Sequence, residues 1–420
     1  MDVLNIDISD LNFLLNEAGS AYDETELTVK TLTNCPPSES YSYFFVEYLV
    51  KNQPCLIKDC ATSWNSSKEW VSSGRPNFTL LKDKFGLAEV SVSDCNIKYF
   101  NAHQTKSLTF DNFIDYWKKY IDDSYPSNES CLYLKDWHLM QKFPSESVYV
   151  VPHQFSSDWL NEYYLEHSHL ADDYRFVYMG PKGTWTPLHA DVFTSFSWSA
   201  NICGRKRWLL FPPGEERCLK DELGNLAFDV ALSNKSASGN LNEKSFTVIQ
   251  EPGEVIFVPS GWHHQVWNED DTISINHNWI NACNIVQVWN SLKSTLEAVK
   301  KEIVDCQDME NWCEHCQLML KSTFGMNYEE FYRVLFYIGN KRIEHLNQNE
   351  PLQSFNVWKF GKEHLIFDLI KIKEVLLLFI DCDELVELPF YLELNNPPEY
   401  FINDINNVVD IYLNNKFSDD

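Results

Sequence analysis

The clearest pattern lies between residues 131 and 282, where short runs of β-branched and aromatic residues follow one another, bounded by Gly, Pro, Asn and Asp. Nine such runs occur there, among them "DYRFVYMG", "EVIFVPSG" and "ISINHNWI". Many short strands at this spacing are typical of a β-sandwich or a jelly-roll barrel. We therefore predict one of these two architectures for the central part of the chain.

The two flanks follow different patterns. Residues 1–130 alternate helical patches such as "YSYFFVEYLVKN" with short strand-like runs such as "PCLIKD", which predicts a mixed α/β region. Residues 283–420 carry apolar positions at helical spacing, as in "EHLIFDLIKIKEVLLLFIDC", and are predicted to form a helical region. Within the central part, residues 215–244 break the strand pattern and predict an insertion that helps to shape a substrate groove.

Composition narrows the classes of partner and location. The 420-residue chain carries a formal net charge of −27, which repels phosphate backbones and argues against direct binding of nucleic acid. A basic protein partner fits this charge, and so does an acidic surface that only confers solubility. The start of the chain shows no secretory pattern, and the longest apolar run, 375–380, is too short to cross a membrane. Twelve widely spaced cysteines are typical of reduced thiols, so we expect a cytoplasmic protein, with nuclear entry left open.

One group of cysteines has two interpretations. Cys306, Cys313, His315 and Cys316 lie close together in "CQDMENWCEHC" and contain half of a zinc motif. A second pair of ligands is not evident downstream. The segment also fits a helix in which Cys313 and Cys316 share one face, and the sequence favours this structural interpretation.

The candidate chemistry begins at "TPLHADVF". In a strand, residues two apart project to the same face, so His189 and Asp191 are expected to point together into the barrel. A hydrogen bond between them, or to the backbone, is the simpler explanation for an isolated His-X-Asp sequence. A second source of histidine, His263 and His264 in "GWHHQVWN", changes the balance. Alternation groups His264 with Trp262, which favours His264 as the inward residue.

Two histidines and one carboxylate on one face form the facial triad that holds non-haem Fe(II). Fifteen residues after Asp191, alternation in "CGRKRWLL" places Lys206 on the same face as Trp208. A buried ammonium needs an anionic partner, because an unpaired one is costly. A dicarboxylate that chelates iron at one end and pairs with the amine at the other would supply it. The alternative is that the amine lies in water at the rim of the barrel.

Together, "TPLHAD", "NICGRKRWLLFPP" and "GEVIFVPSGWHHQVWN" closely resemble the JmjC family of Fe(II)- and 2-oxoglutarate-dependent oxygenases. The resemblance covers residues 131–282 well and the flanks more loosely. It implies an α+β protein whose double-stranded β-helix, a cupin-like jelly roll, is flanked by the N-terminal α/β region (1–130) and the C-terminal helical region (283–420). It also implies that iron is ligated by His189, Asp191 and His264, and that dioxygen is the second cosubstrate.

The resemblance further implies a set of residues around 2-oxoglutarate: Tyr133, Thr186, Ser199, Lys206, Asn276 and Asn278. Lys206 would bind the distal carboxylate, helped by Thr186 and Tyr133. The chain departs from the family pattern at Ser199, where many members have asparagine, and at Asn276, where some have threonine. Which of those two residues contacts the cosubstrate is therefore left open.

Within the family, "SFSWSANICGRKRWLLFPPGEE" and "SINHNWINACN" resemble a lysyl hydroxylase of the eukaryotic translation termination factor. That resemblance implies hydroxylation of the lysine in an Asn-Ile-Lys-Ser tetrapeptide. Two alternatives remain: an N-methyl-lysine demethylase, which uses the same chemistry on a methyl group, and a barrel that binds partners without turnover. The sequence contains no convincing zinc-binding reader module of the kind that large histone demethylases carry.

Overall fold

The computed structural model describes residues 3–6, 18, 32–170, 173–220, 225–233 and 245–417. The strands of these ranges, numbered in chain order, are β1 (Val3–Leu4), β2 (Thr33–Cys35), β3 (Cys55–Ile57), β4 (Val71–Ser72), β5 (Arg75–Pro76), β6 (Glu89–Tyr99), β7 (Ala102–Thr109), β8 (Leu132–Trp137), β9 (Arg175–Gly180), β10 (Trp185–His189), β11 (Phe196–Cys203), β12 (Lys206–Phe211), β13 (Phe246–Gln250), β14 (Val255–Val258), β15 (His263–Asn268), β16 (Thr272–Trp279), β17 (Leu352–Ser354) and β18 (Trp358–Phe360).

The α-helices of the same ranges are α1 (Tyr41–Phe44), α2 (Asn65–Glu69), α3 (Phe78–Phe85), α4 (Phe110–Asp122), α5 (Leu139–Lys142), α6 (Trp159–Glu166), α7 (Val230–Ser233), α8 (Ile285–Glu302), α9 (Trp312–Phe324), α10 (Tyr328–Gln348), α11 (Lys362–Ile380), α12 (Pro389–Leu392) and α13 (Pro398–Phe417). A π-helical stretch, Phe45–Val50, follows α1 directly. Short 3₁₀ turns complete the helical elements: His153–Phe155, Ser168–Leu170, Val192–Thr194, Glu215–Leu219, Val304–Cys306 and Asp383–Glu387.

Two sheets form the core of the molecule. The smaller sheet has the strand order β10-β15-β12-β13, and each neighbouring pair in it is antiparallel. The larger sheet has the order β2-β3-β14-β11-β16-β9-β8-β6-β7. Strands that are distant in sequence are neighbours in both sheets, as in a jelly roll. All nine runs that the sequence pattern marked as strands are strands, β8 to β16, and the predicted fold class is confirmed.

Alternation along β12 decides which side chains enter the space between the sheets. Lys206, Trp208 and Leu210 are buried, whereas Arg207 and Leu209 on the other face are only half-buried. Trp208 and Leu210 belong to a buried apolar cluster that also contains Val266 of β15. Burial of these apolar side chains holds the strand with this face inward, and Lys206 is carried inward with them.

The larger sheet continues beyond the central region on both edges. β2 and β3 extend it at one edge, and β6 and β7 extend it at the other, so strands from residues 1–130 pair with those of the barrel. The division of the chain at residues 130 and 282 stays a prediction. The predicted insertion over 215–244 is described only in part, since residues 221–224 and 234–244 lie outside the described ranges.

The helices after residue 283 pack on the barrel and share one continuous hydrophobic core with it. A buried ion cluster joins the two parts: the Arg342 guanidinium of α10 lies 2.6 Å from Glu162 of α6 and 3.0 Å from Asp368 of α11. Both Arg342 and Asp368 are fully buried, and loss of the guanidinium would leave the Asp368 carboxylate with His364, at 3.5 Å, as its remaining ion-pair neighbour. None of the helices in the described ranges combines the length and the hydropathy needed to cross a membrane.

Candidate active site

Three predicted ligands meet inside the barrel. The ligand atoms of His189, Asp191 and His264 lie within 4.8 Å of one another, and no other group of three or more His, Cys, Asp or Glu side chains in the described residues does so. The two imidazole centroids are 4.4 Å apart, and His264 Nε2 lies 4.0 Å from Asp191 Oδ2. His264 is buried, while the neighbouring His263 faces Glu216 at 3.9 Å. Only one of the adjacent histidines therefore joins the triad, as alternation predicted.

The strands present both imidazoles in the same way. β10 and β15 are paired so that His189 lies opposite His264. Nδ1 of His189 is 2.8 Å from the Pro187 carbonyl oxygen, and Nδ1 of His264 is 3.1 Å from that of Trp262. A proton on each Nδ1 that donates to the backbone leaves each Nε2 as a free lone pair. Burial, with His189 as the second cause, lowers the pKa of His264 to about 4, so it is neutral, as a metal ligand must be.

Asp191 is positioned differently from our expectation. β10 ends at His189, so Asp191 does not share a strand with it, and the two-residue alternation does not apply to it. Asp191 has extended backbone angles (φ −64°, ψ 151°) and begins a tight turn. Ser197 of β11 donates a hydrogen bond of 2.6 Å to Asp191 Oδ2. This bond from the facing sheet turns the carboxylate toward the imidazoles.

The turn after Asp191 is strained and is held from outside the barrel. Phe193 and Thr194 both have left-handed backbone angles, φ 58° and φ 55°, which are uncommon for such residues. The ring of Phe193 is buried against Phe324 at the end of α9. A Cβ on the next residue, Gly325, would come within 2.9 Å of that ring, so this helix end requires glycine. The C-terminal helices thus support the loop that carries the carboxylate.

The triad lines a cavity of about 300 Å³ between the two sheets. All nine residues that the sequence singled out line this cavity: Tyr133, Thr186, His189, Asp191, Ser199, Lys206, His264, Asn276 and Asn278. The rest of the wall is largely apolar and aromatic and includes Trp198, Trp208 and Val266. Such a mixture of an apolar wall and a few convergent polar groups is typical of small-molecule sites.

Lys206 is the cation of this cavity that lies deepest in the protein. Its side chain is 2% exposed, and its ammonium donates a 2.7 Å hydrogen bond to Ser274 Oγ of β16. No described carboxylate lies within ion-pair distance of it, and burial alone lowers the pKa of Lys206 to about 7. A buried amine with a hydroxyl as its partner is costly, and an anionic ligand would remove that cost.

Several other polar atoms of the cavity lack partners. Thr186 Oγ1, Ser199 Oγ and Asn276 Nδ2 are buried and make no hydrogen bond. Ser199 and Asn276 are paired in register on β11 and β16, so both face the same part of the cavity. Tyr133 is buried in the wall, and burial raises its pKa. Asn278, by contrast, already donates a hydrogen bond from its side-chain amide to Ser195 Oγ at 3.1 Å.

A comparison with known proteins matches a model of the cupin-like domain to residues 41–285. The 2-oxoglutarate and iron-dependent oxygenase JMJD4 of Gallus gallus is 45% identical over 393 residues, covering 90% of this chain and 91% of that protein. The protein of the same name from Danio rerio is 46% identical, covering 83% of this chain and 86% of its own. The chain belongs to the JmjC family of iron- and 2-oxoglutarate-dependent oxygenases. The family resemblance seen in the sequence is thereby confirmed.

Other relatives carry different activities in their names. The arginine-specific demethylase JMJ20 of Arabidopsis thaliana is 37% identical, covering 86% of this chain and 81% of that protein.

The oxygenase described here uses Fe(II), 2-oxoglutarate and dioxygen, as the sequence predicted. The residues present fit these groups: two imidazoles and a carboxylate are the donor set of non-haem Fe(II) oxygenases, and the unpaired atoms beside Lys206 suit a carboxylate.

The structure also shows what the sequence interpretation missed. Ser197, which orients Asp191, is two residues before Ser199 on the same face of β11. Ser274, the partner of Lys206, is two residues before Asn276 on β16. Continuing the alternation from Ser199 and Asn276 places both serines on the cavity face, but it does not identify Asp191 and Lys206 as their partners.

The cysteine cluster near residue 310 lacks the geometry of a metal site. Cys306, Cys313, His315 and Cys316 do not bring their ligand atoms together, although all four are described. Cys313 donates to Glu387 from α9, while Cys316 is buried. The helical interpretation of this segment is confirmed for Cys313 and Cys316, which both lie in α9.

Proposed function

We propose that this oxygenase hydroxylates a lysyl residue of the eukaryotic translation termination factor, within its Asn-Ile-Lys-Ser tetrapeptide. One observation supports the hydroxylase part of this proposal: the triad of His189, Asp191 and His264 shares a cavity with the buried amine of Lys206. That amine has no carboxylate partner among the described residues. The substrate part is supported by the sequence resemblance around residues 195–216 and 274–284. A net charge of −27 further supports a basic protein partner rather than nucleic acid.

In the proposed reaction, each part of the cavity has a task. His189, Asp191 and His264 would hold the iron, and the backbone bonds at both Nδ1 atoms fix the rings before the metal binds. When bound, iron with 2-oxoglutarate and dioxygen supplies the oxidising chemistry that inserts one oxygen atom into a substrate C–H bond, with succinate and carbon dioxide as the other products.

The remaining residues bind and orient the cosubstrate. Lys206 would pair with its distal carboxylate, and Thr186 and Tyr133 would complete that contact. Ser199 and Asn276 are both unpaired, and we assign both to the cosubstrate pocket. The aromatic wall keeps the pocket low in water, which strengthens the ion pair at Lys206.

Demethylation of a methylated basic residue is the second candidate. It is supported by the names of relatives: an arginine-specific demethylase and, at 27% identity, the lysine-specific demethylase JMJ21 of Arabidopsis thaliana. The same cavity could serve it, because both reactions begin at a C–H bond next to the metal. A non-catalytic barrel is disfavoured by the complete triad and by the unpaired polar atoms of the cosubstrate pocket.

Location is proposed on separate grounds. None of the twelve cysteines forms a disulfide, and eight of them are buried, which supports the cytoplasmic location expected from the sequence. That compartment also contains the proposed substrate during translation. Entry into the nucleus would be compatible with the same properties.

Mass spectrometry of a reacted peptide tests the proposal. A peptide containing Asn-Ile-Lys-Ser is incubated with enzyme, Fe(II), 2-oxoglutarate and dioxygen, and its lysine is expected to gain one oxygen atom. Asp191→Ala serves as the matched inactive enzyme, and a peptide with arginine in place of lysine tests the choice of side chain. Loss of a methylene mass from the methylated peptide, without oxidation of the unmethylated one, would favour the demethylase and refute our proposal.

A further inference from the structure

The mouth of the cavity carries a carboxylate that the iron and cosubstrate contacts do not use. Asp136 lines the cavity and is exposed. It lies in β8 where the register against β9 shifts between Leu134 and Trp137, and its backbone is left-handed, φ 54°. A register shift of this kind re-aims side chains and is frequent beside active sites. The local backbone therefore turns Asp136 toward the cavity, three residues after Tyr133.

One oxygen of this carboxylate is fixed and the other is free. The hydroxyl of Tyr178 donates a 2.5 Å hydrogen bond to Asp136 Oδ1, while Oδ2 accepts none from the described residues. The ring of Tyr178 also faces Lys206, whose ammonium is 6.0 Å from the ring centroid. Tyr178 thus contacts both the cosubstrate amine, through its ring, and Asp136, through its hydroxyl, and it orients Asp136 while leaving Oδ2 without a described donor.

The charges along the cavity wall favour a cationic ligand at this point. Asp136 and Asp191 are the carboxylates of the lining, and Asp191 belongs to the triad. Lys135 also lines the cavity, but within the described residues its ammonium is not within 4.0 Å of an Asp136 oxygen. Its charge instead acts on His103, where burial and then Lys135 lower the imidazole pKa to about 4. Asp136 therefore has no ion-pair partner among the described residues.

We propose that Asp136 binds the ammonium of the substrate lysine, with Oδ2 as the acceptor and Tyr178 as the group that holds the carboxylate in place. This inference rests on the proposed function, because it names the substrate group that the same cavity recognises. The lysine ammonium sits on a flexible four-carbon stem, so its charge can stay at the mouth while the C–H bonds of the stem reach inward. Asp136 would then determine both the affinity for the peptide and its selectivity for a basic residue.

A double-mutant cycle on binding tests the contact. The affinity of fluorescent Asn-Ile-Lys-Ser peptide is measured by anisotropy for wild type and Asp136→Asn, and again with norleucine in place of the lysine, which keeps the stem and removes the charge. Asparagine tolerates left-handed backbone angles, so this variant preserves the fold. Asp122→Asn, at the exposed end of α4, is the control that changes net charge equally.

We expect Asp136→Asn to weaken binding of the lysyl peptide by about tenfold, the loss of one hydrogen bond between charged groups. Asp136→Asn should leave the norleucine peptide and the affinity for 2-oxoglutarate unchanged, and Asp122→Asn should change none of these. Equal weakening of both peptides would overturn the inference, since the effect would not pass through the ammonium.

Hydroxylation is recorded in parallel, which separates the two proposals. Oxidation of the lysyl peptide with equal kinetics by wild type and Asp136→Asn would overturn the role of Asp136 and leave the proposed function intact. Binding of the peptide with the expected coupling but without oxidation would refute the hydroxylase while supporting the contact. A peptide that binds wild type no better than a scrambled one would overturn both.

Discussion

Lys206→Met tests two effects of the buried amine: its binding of 2-oxoglutarate and its destabilisation of the folded protein. Methionine has a similar length and no charge, so it fills the same space in the wall. The Lys206 side chain is 2% exposed and bonds to Ser274, and burial lowers its pKa from 10.5 to about 7. Because the pKa is lowered in the folded state, the unfolded chain binds the proton more tightly, and the amine destabilises the ligand-free protein.

The size of this effect follows from the same pKa values. A pKa drop from 10.5 to about 7 corresponds to about 5 kcal/mol of destabilisation, at about 1.4 kcal/mol for each factor of ten. Losing the hydrogen bond to Ser274 costs the variant about 1 kcal/mol. At pH 7 the folded amine is about half protonated, so about 4 kcal/mol of this penalty remains there. We therefore expect Lys206→Met to raise the free energy of unfolding by about 3 kcal/mol at pH 7, without metal or 2-oxoglutarate.

The pH dependence supplies the sharper test. The penalty of Lys206 is fully present below pH 7 and disappears as the pH approaches 10.5, because the folded protein has already released the proton. At pH 9 the penalty should be about 2 kcal/mol, so the advantage of the variant should shrink by about 2 kcal/mol from pH 7 to pH 9. Urea unfolding at the two pH values measures it, since titrations common to both proteins cancel in the difference.

A second buried lysine provides the control. Lys371 is fully buried like Lys206, but it forms a 2.6 Å ion pair with Glu374 and donates to a backbone oxygen. Lys371→Met should destabilise the protein, because it leaves those acceptors without their cation. If Lys206→Met were less stable than wild type at pH 7, or kept the same advantage at pH 9, the amine would already be compensated in the ligand-free protein. Our account of the pocket would then be wrong. The stabilised variant should also lose about a hundredfold in affinity for 2-oxoglutarate, measured calorimetrically.

Three further predictions concern proton linkage, the metal and the ion cluster. Affinity for 2-oxoglutarate should fall by up to about tenfold per pH unit above pH 7, because Lys206 must regain a proton to pair with the carboxylate. Titration calorimetry in two buffers would detect the proton uptake, and a constant affinity from pH 7 to pH 9 would contradict this prediction. Mn(II), used as a redox-inert substitute for Fe(II), should raise the melting temperature of wild type. Asp191→Ala should fold but show no such rise, and an equal rise in both proteins would show that Asp191 is not a ligand. Arg342→Met should lower the free energy of unfolding by about 3–5 kcal/mol, because it removes the guanidinium bonded to the buried carboxylate of Asp368. Arg333→Met, on the surface of the same helix, should change the free energy of unfolding little, and equal urea midpoints for the two variants would refute this prediction.

Local patterns in the sequence predicted the strands and the faces of the site well. Period-two alternation in β12 and β15 assigned Lys206 and His264 to the interior, because each shares its face with large apolar residues. Asp191 shows the limit of that reasoning. Its strand ends two residues earlier, and a hydrogen bond from Ser197 in the other sheet orients it instead. Periodicity within one segment contains no information about bonds between sheets.

Pairing between distant segments was equally out of reach of local patterns. Ser274 and Lys206 are 68 residues apart in the chain, and they become partners only because the two sheets face each other. Asp136 was missed for a related reason: it lies where β8 departs from regular register, and alternation fails at such a point. The residues that the sequence did not reveal are thus those placed by long-range contacts or by irregular backbone.

The choice between His263 and His264 shows how apolar packing specifies the metal site. β15 lies between β10 and β12, and the buried side chains of Trp262, just before the strand, and of Val266 flank His264 along the chain. A shift of one residue would turn His263 inward and would also move both apolar side chains out of the core, at a cost of about 4 kcal/mol. That cost is larger than the difference between two adjacent imidazoles of the same chemistry. The register of β15, and with it the identity of the ligand, is therefore fixed by side chains that do not belong to the triad.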